Sequence, residues 1–139
     1  MPATRSPFEY AIVRVVPRED RGEAFNAGVV VHSRARRFLA ARVELDPAVL
    51  LALAPDCDPA IVQAQLDTFP RICAGDPSTG PISALSRPER FHWLVSPSST
   101  VVQASAVHTG LTTDPAATIE HLFATLVQGR GRTSEAPPA

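Results

Sequence analysis

The sequence predicts an α+β domain: an antiparallel sheet, made of a three-strand meander plus a later hairpin, packed by about three helices. Two observations carry that expectation. The first third holds three β-branched or aromatic runs joined by short polar turns, and short connections favour antiparallel neighbours. The dipeptides Asp46-Pro47, Asp58-Pro59 and Asp114-Pro115 each precede apolar residues at helical spacing. Asp accepts hydrogen bonds from the free amides of a first turn, and Pro tolerates the first helical position.

The first strand runs from Phe8 to Val16 and stops at Pro17. Both of its faces are largely apolar (Phe8, Tyr10, Ile12 and Val16 against Ala11, Val13 and Val15), which places it centrally in the sheet. A turn over Pro17–Gly22 leads into a second strand, Phe25–Val31, and a turn over His32–Arg36 into a third, Arg37–Leu45. The helix after Asp46 carries Val49, Leu50 and Leu53. The helix after Asp58 sets Val62, Leu66, Phe69 and Cys73 on one face, and Pro70 is expected to kink or end it.

Gly75 to Glu89, with three Pro, two Gly and three Ser, reads as a loop that is either functional or mobile. Phe91–Val95 and Thr100–Val107 read as the second hairpin, turning at Ser96–Ser99, with Trp93 as a core anchor. Ile119, Leu122, Phe123, Leu126 and Val127 give the last helix an apolar stripe. The expected organisation is a flexible segment over 1–7, one domain over 8–128 and a disordered tail over 129–139, since a chain of 139 residues supports one core.

A net charge of −1 gives no overall pull toward nucleic acid or anionic membrane, so nucleic-acid binding is not expected. All thirteen basic residues are Arg, which fits a GC-rich coding bias. No apolar run approaches the ~18 residues that span a bilayer, and Met1–Tyr10 has no signal-peptide pattern, so a cytoplasmic protein is expected. Cys57 and Cys73 read as free thiols. Phosphate-loop, dinucleotide, zinc-finger and EF-hand patterns do not occur, and no cofactor or metal is expected.

The candidate polar residues fall into three groups. Glu23 and Asn26 precede Gly28 at the mouth of a strong strand, where such residues are poor strand formers. They read either as parts of a bulge in which Gly28 admits a close backbone approach, or as polar anchors of a small site. Arg14, Arg42 and Glu44 lie within strands. With Glu23 they form either ion pairs across the meander or a cationic floor for a phosphate or carboxylate. Arg90 and His92 share one face of the predicted fourth strand, and His108 with Thr109 follows the fifth; His92 pairing with His108 makes only a weak metal case. Arg34-Ala-Arg-Arg37 reads as a solvated hairpin tip.

Tyr10-Ala-Ile-Val-Arg14, Arg21-Gly-Glu-Ala-Phe-Asn-Ala-Gly-Val-Val-Val31, Arg37-Phe-Leu, Arg90-Phe-His-Trp-Leu94 and His108-Thr-Gly110, in that order, resemble the bacterial family catalogued as domain of unknown function 3037. The resemblance spans about residues 8 to 127. It implies a small protein, in some cases encoded beside a HipA-like kinase, which suggests a partner. Ala27 departs mildly from the family, where a β-branched residue is usual.

The leading expectation is a non-catalytic accessory or binding protein that contacts a protein partner, a HipA-like kinase or a second copy of itself, through its sheet surface or the Gly75–Glu89 loop. The rival expectation is a small enzyme or ligand-binding domain acting on an anionic, phosphate-bearing substrate. It requires Arg14, Glu23, Asn26, Arg90, His92 and His108 to converge in one pocket. Nucleic-acid binding through the Arg-rich hairpins is the third reading.

Overall fold

The computed structural model describes residues 4–129. Strands β1 (Ser6–Val15), β2 (Phe25–Ser33) and β3 (Phe38–Val43) form the expected antiparallel meander in the order β3-β2-β1. Helices α1 (Pro47–Leu53) and α2 (Pro59–Cys73) follow, and their Asp46 and Asp58 side chains accept hydrogen bonds from first-turn amides. Then come two 3-10 turns (Pro77–Thr79 and Pro81–Ala84), helix α3 (Arg87–Val95), strands β4 (Val102–Ala104) and β5 (His108–Thr112), and helix α4 (Pro115–Leu122), which continues as a π-helical turn, Phe123–Val127.

The sheet separates two apolar layers. One face presents Ala11, Val13, Val15, Val30 and Ala41 to Leu50 of α1, to Val62, Leu66 and Phe69 of α2, and to Phe91 and Leu94 of α3. The opposite face presents Phe8, Val29 and Val31 to Ile119 and Phe123. Each fully buried aliphatic side chain of this kind stabilises the fold by about 1.5–3 kcal/mol relative to exposure. A strand buried on both faces reads as continuously apolar, and β2 is buried from Ala27 to Ser33.

Both β4 and β5 pair with β1, and not with each other. β5 lies against Ser6–Tyr10 and β4 against Val13–Val15, so together they make one interrupted antiparallel strand. Ser105 bridges the interruption. Its N–H donates to the Ile12 carbonyl at 2.8 Å, and its Oγ accepts from the Ile12 N–H at 2.8 Å, standing in for the ladder carbonyl that the break removes.

The expected hairpin over Phe91–Val95 and Thr100–Val107 is therefore corrected. Phe91–Val95 belongs to a helix because Ser86 and Glu89 form a capping box just ahead of it: the Ser86 Oγ accepts from Glu89 N–H at 3.3 Å, while Ser86 N–H donates to Glu89 Oε1 at 3.1 Å. That nucleus outweighs the β-propensity of Phe, Trp and Val. Helical spacing then buries Phe91 and Leu94 together and leaves Trp93 57% exposed, so Trp93 is not a core anchor.

One further expectation narrows and another changes. Of the two outcomes expected at Pro70, an end of α2 is excluded: the helix runs on to Cys73, which is buried with Val62, Leu66 and Phe69 as the spacing predicts. The Gly75–Glu89 stretch is not one unstructured loop. Asp76 caps its first 3-10 turn by accepting from Ser78 N–H at 2.9 Å, and its last residues begin α3. The predicted tail over 129–139 falls, apart from Gly129, outside the described residues, as do the first three residues of the predicted N-terminal segment. Among the described residues no helix is long and apolar enough to cross a membrane.

Candidate functional site

A bulge between Val13 and Arg14 explains the poor strand formers of β2. Val13 pairs with Gly28 and Arg14 with Asn26, leaving Ala27 as the extra residue. A side chain at Gly28 would place its Cβ 2.7 Å from the Arg42 carbonyl oxygen, which is the close backbone approach that requires glycine there. Asn26 then donates through Nδ2 to the Leu126 carbonyl at 3.0 Å. Arg42 pairs with Glu120 and lies 4.5 Å from the centroid of Phe123, and Glu44 accepts from Gln128 Nε2 at 3.0 Å. Asn26, Arg42 and Glu44 thus fasten the C-terminal helical segment onto the sheet.

The expected ion pairs within the group Arg14, Glu23, Arg42 and Glu44 do not form. Glu23 pairs instead with Arg21 at 2.7 Å, and the hydrogen bond from that guanidinium holds the carboxyl below its ordinary range. Arg14 is exposed on the face of Asn26. His92 is exposed on α3, over one face of the sheet. His108 stacks on Tyr10 of the opposite face, with ring centroids 5.1 Å apart, and Thr109 is exposed beside it. Among the described residues no group of three or more His, Cys, Asp or Glu is placed to hold a metal. The six residues named for a shared pocket do not converge: Arg14 pairs with Asn26, but Asn26 and His32 are six residues apart along β2, about 20 Å at strand rise, and Arg90 lines the cleft at the His32 end.

At that end lies a cleft of about 480 Å³, lined by His32, Arg34, Arg37, Ser86, Arg87 and Arg90, with Ser33 and Pro88. No Asp or Glu lines it. It forms where the β2–β3 hairpin meets the first turn of α3. The hairpin closes with Arg37 N–H donating to the Arg34 carbonyl at 3.2 Å, and Arg37 adopts φ 53°, a left-handed conformation that usually falls to Gly or Asn. Arg36 turns away, donating through Nε to Ser6 Oγ at 2.9 Å and through its other nitrogen to the Thr4 carbonyl. Among the described residues the guanidinium groups of Arg34, Arg37 and Arg87 have no ion-pair or hydrogen-bond partner.

Two further groups of the cleft are fixed in place. Arg90 donates through Nη1 to the Leu85 carbonyl at 2.6 Å and through Nη2 to the Cys73 carbonyl at 3.3 Å, which ties α3 to the end of α2, and its buried Nε has no partner. His32 is 4% exposed and stacks on Phe91 with centroids 5.0 Å apart. Its Nδ1 lies 3.2 Å from Glu9 Oε1, so an ionised Glu9 places the proton on Nδ1. Nε2 of His32 is buried without a partner among the described residues. An orphaned buried polar group costs about 1–3 kcal/mol.

The hydroxyls of the cleft are engaged: Ser33 Oγ donates to the Pro7 carbonyl at 3.1 Å and Ser86 Oγ to Glu89 Oε1 at 2.8 Å. Those bonds from Ser86 hold the Glu89 carboxyl below its ordinary range. What the cleft presents is positive charge and N–H donors. A second groove, of about 580 Å³, has Trp93, Phe69, Leu94 and Val102 in its wall and no charged lining residue.

Of the predicted site residues, only Arg90 belongs to the cleft. His32, Arg34, Arg37 and Arg87 had no evident link in sequence. The Arg34–Arg37 cluster was visible, as was the Ser86-x-x-Glu89 cap, but a strand assignment for Phe91–Val95 hides the helix that brings Arg87 and Arg90 to the hairpin.

The chain belongs to the family described as protein of unknown function DUF3037, whose model matches residues 10–127. No curated protein and no solved structure matches it.

Proposed function

We propose that this is a non-catalytic binding protein that recognises an anionic group of a partner in the cleft between the β2–β3 hairpin and α3. One observation carries the reading: Arg34, Arg37 and Arg87 converge on a concave surface with no carboxylate in its lining. The carboxylates beside the cleft, Glu9 and Glu89, are engaged by His32 and Ser86, and the combined positive field of the three exposed guanidinium groups favours an anionic partner. Guanidinium forks suit carboxylate and phosphate oxygens in particular. The partner class proposed first is the HipA-like kinase suggested by the family resemblance.

Co-expression with such a kinase, followed by salt-graded co-purification, tests this. The wild type is expected to retain the kinase at low salt and release it as salt rises, and the Arg34→Glu/Arg87→Glu pair is expected to lose it with no change in thermal midpoint. A complex untouched by charge reversal refutes the cleft as the contact. No kinase retention, together with no binding of an acidic Glu-rich peptide, refutes the reading as a whole.

A further inference from the structure

The cleft's geometry also distinguishes between kinds of anion. We infer that its ligand is a phosphate monoester, an inference that rests on the anion-binding reading above. Arg34, Arg37 and Arg87 supply three unpartnered guanidinium groups from two separate elements, each able to present two parallel N–H donors. A carboxylate carries one charge and two oxygens, too few to engage three forks. A phosphate monoester carries nearly two charges near neutral pH and three terminal oxygens, each a strong acceptor.

Two more features fit the same group. His32 lines the cleft with its ring held by Glu9 and by stacking on Phe91, a fixed wall beside the guanidinium groups. Arg37 sits in a left-handed conformation where Gly would be unstrained. Strain retained at such a position is what a side chain held for binding leaves behind. At about 480 Å³ the cleft falls in the size range of small-ligand sites, and a phosphorylated side chain or a small phosphorylated molecule presents the same chemistry.

The test is titration calorimetry of the full chain with four probes: a phosphoserine hexapeptide, the same peptide with Glu in place of phosphoserine, free O-phosphoserine, and a single-stranded oligonucleotide. The phosphopeptide is expected to bind at least about tenfold more tightly than the Glu peptide, the margin one extra charge-assisted hydrogen bond supplies. Free O-phosphoserine binding as well as the phosphopeptide assigns the site to small phosphate monoesters, and a clear preference for the peptide assigns it to a phosphorylated chain. Arg37→Gly is expected to weaken phosphopeptide binding about tenfold while leaving the thermal midpoint unchanged or raised, and Arg34→Gln, at an exposed position, to weaken it without altering the fold. Equal binding of the Glu peptide overturns the phosphate inference and leaves the anion-binding reading standing. No binding of any probe overturns the phosphate inference, and together with failure of the kinase to co-purify it overturns the anion-binding reading as well. Preferential, steeply salt-dependent binding of the oligonucleotide overturns the monoester assignment in favour of nucleic acid.

Discussion

Replacing Gly28 by Ala tests the strand geometry on which everything else is hung. The added Cβ would lie 2.7 Å from the Arg42 carbonyl oxygen, 2.8 Å from Val43 Cγ1 and 3.3 Å from Val13 Cβ. The first of these is backbone of the adjacent strand, so relief requires β3 to move away from β2 at a buried position. Overpacking of a well-filled core costs about 1–3 kcal/mol, and a backbone collision belongs at the top of that range. Ala gains about 0.5–1 kcal/mol over Gly from the unfolded state, leaving a net loss of about 2 kcal/mol. For a domain of this size that is a fall of roughly 6–12 °C in thermal midpoint.

Gly110→Ala supplies the internal comparison. Its Cβ would meet Phe8 Cε1 at 2.7 Å and Cζ at 2.8 Å, the same distances as at Gly28, but these atoms are the end of a side chain and not the backbone of a neighbouring strand. A net loss of about 1 kcal/mol or less is expected. Urea unfolding followed by circular dichroism measures both, with the slope m checked for constancy. If Gly28→Ala proves no more destabilising than Gly110→Ala, the close strand approach is not what fixes glycine at this position.

Three further outcomes follow from the contacts of Asn26 and Cys73. Asn26→Ala removes the donor to the Leu126 carbonyl and is expected to cost about 1–2 kcal/mol, with faster amide hydrogen exchange confined to 115–128; a loss of protection spread evenly over the sheet contradicts the docking role given to Asn26. Burial pushes the Cys73 thiol up to about 12, against an opposing pull from Arg90, so the native protein at pH 8 should be alkylated by iodoacetamide at Cys57, which is half-buried, well before Cys73. Because the unfolded thiol ionises near its ordinary value of 9.0, stability from this group is complete below that pH and is lost as pH rises from there toward about 12. A Cys73→Ala variant with the same decline in urea midpoint over that window refutes the assignment.

The meander and the helix starts were legible because their signals are local. β-branched runs broken by polar turns, and Asp-Pro caps ahead of apolar residues at helical spacing, act within a few residues of chain. The same locality shows why Phe91–Val95 misleads: its aromatic and β-branched composition favours a strand, while the decisive Ser86–Glu89 box lies outside the window. Glu23 and Asn26 were legible as anomalies but not as partners, since Arg21 is two residues from Glu23 whereas Leu126 is one hundred residues from Asn26. Ser105, whose hydroxyl completes the β1 ladder from 93 residues away, gives no local sign of that job at all.

The sequence by itself determined the α+β class, the antiparallel meander, the helix caps at Asp46, Asp58 and Asp114, and the family, because each rests on contacts between near neighbours or on ordered motifs. Only the tertiary structure decided that β4 and β5 share one edge of β1, that Trp93 faces outward, and that Asn26, Arg42 and Glu44 serve the last helix. It also joined His32, Arg34 and Arg37 to Arg87 and Arg90, residues separated by some fifty positions, into one cationic cleft. Charges so far apart in sequence meet only when the packing of α3 on the sheet, through Phe91 and His32, sets the distance between them.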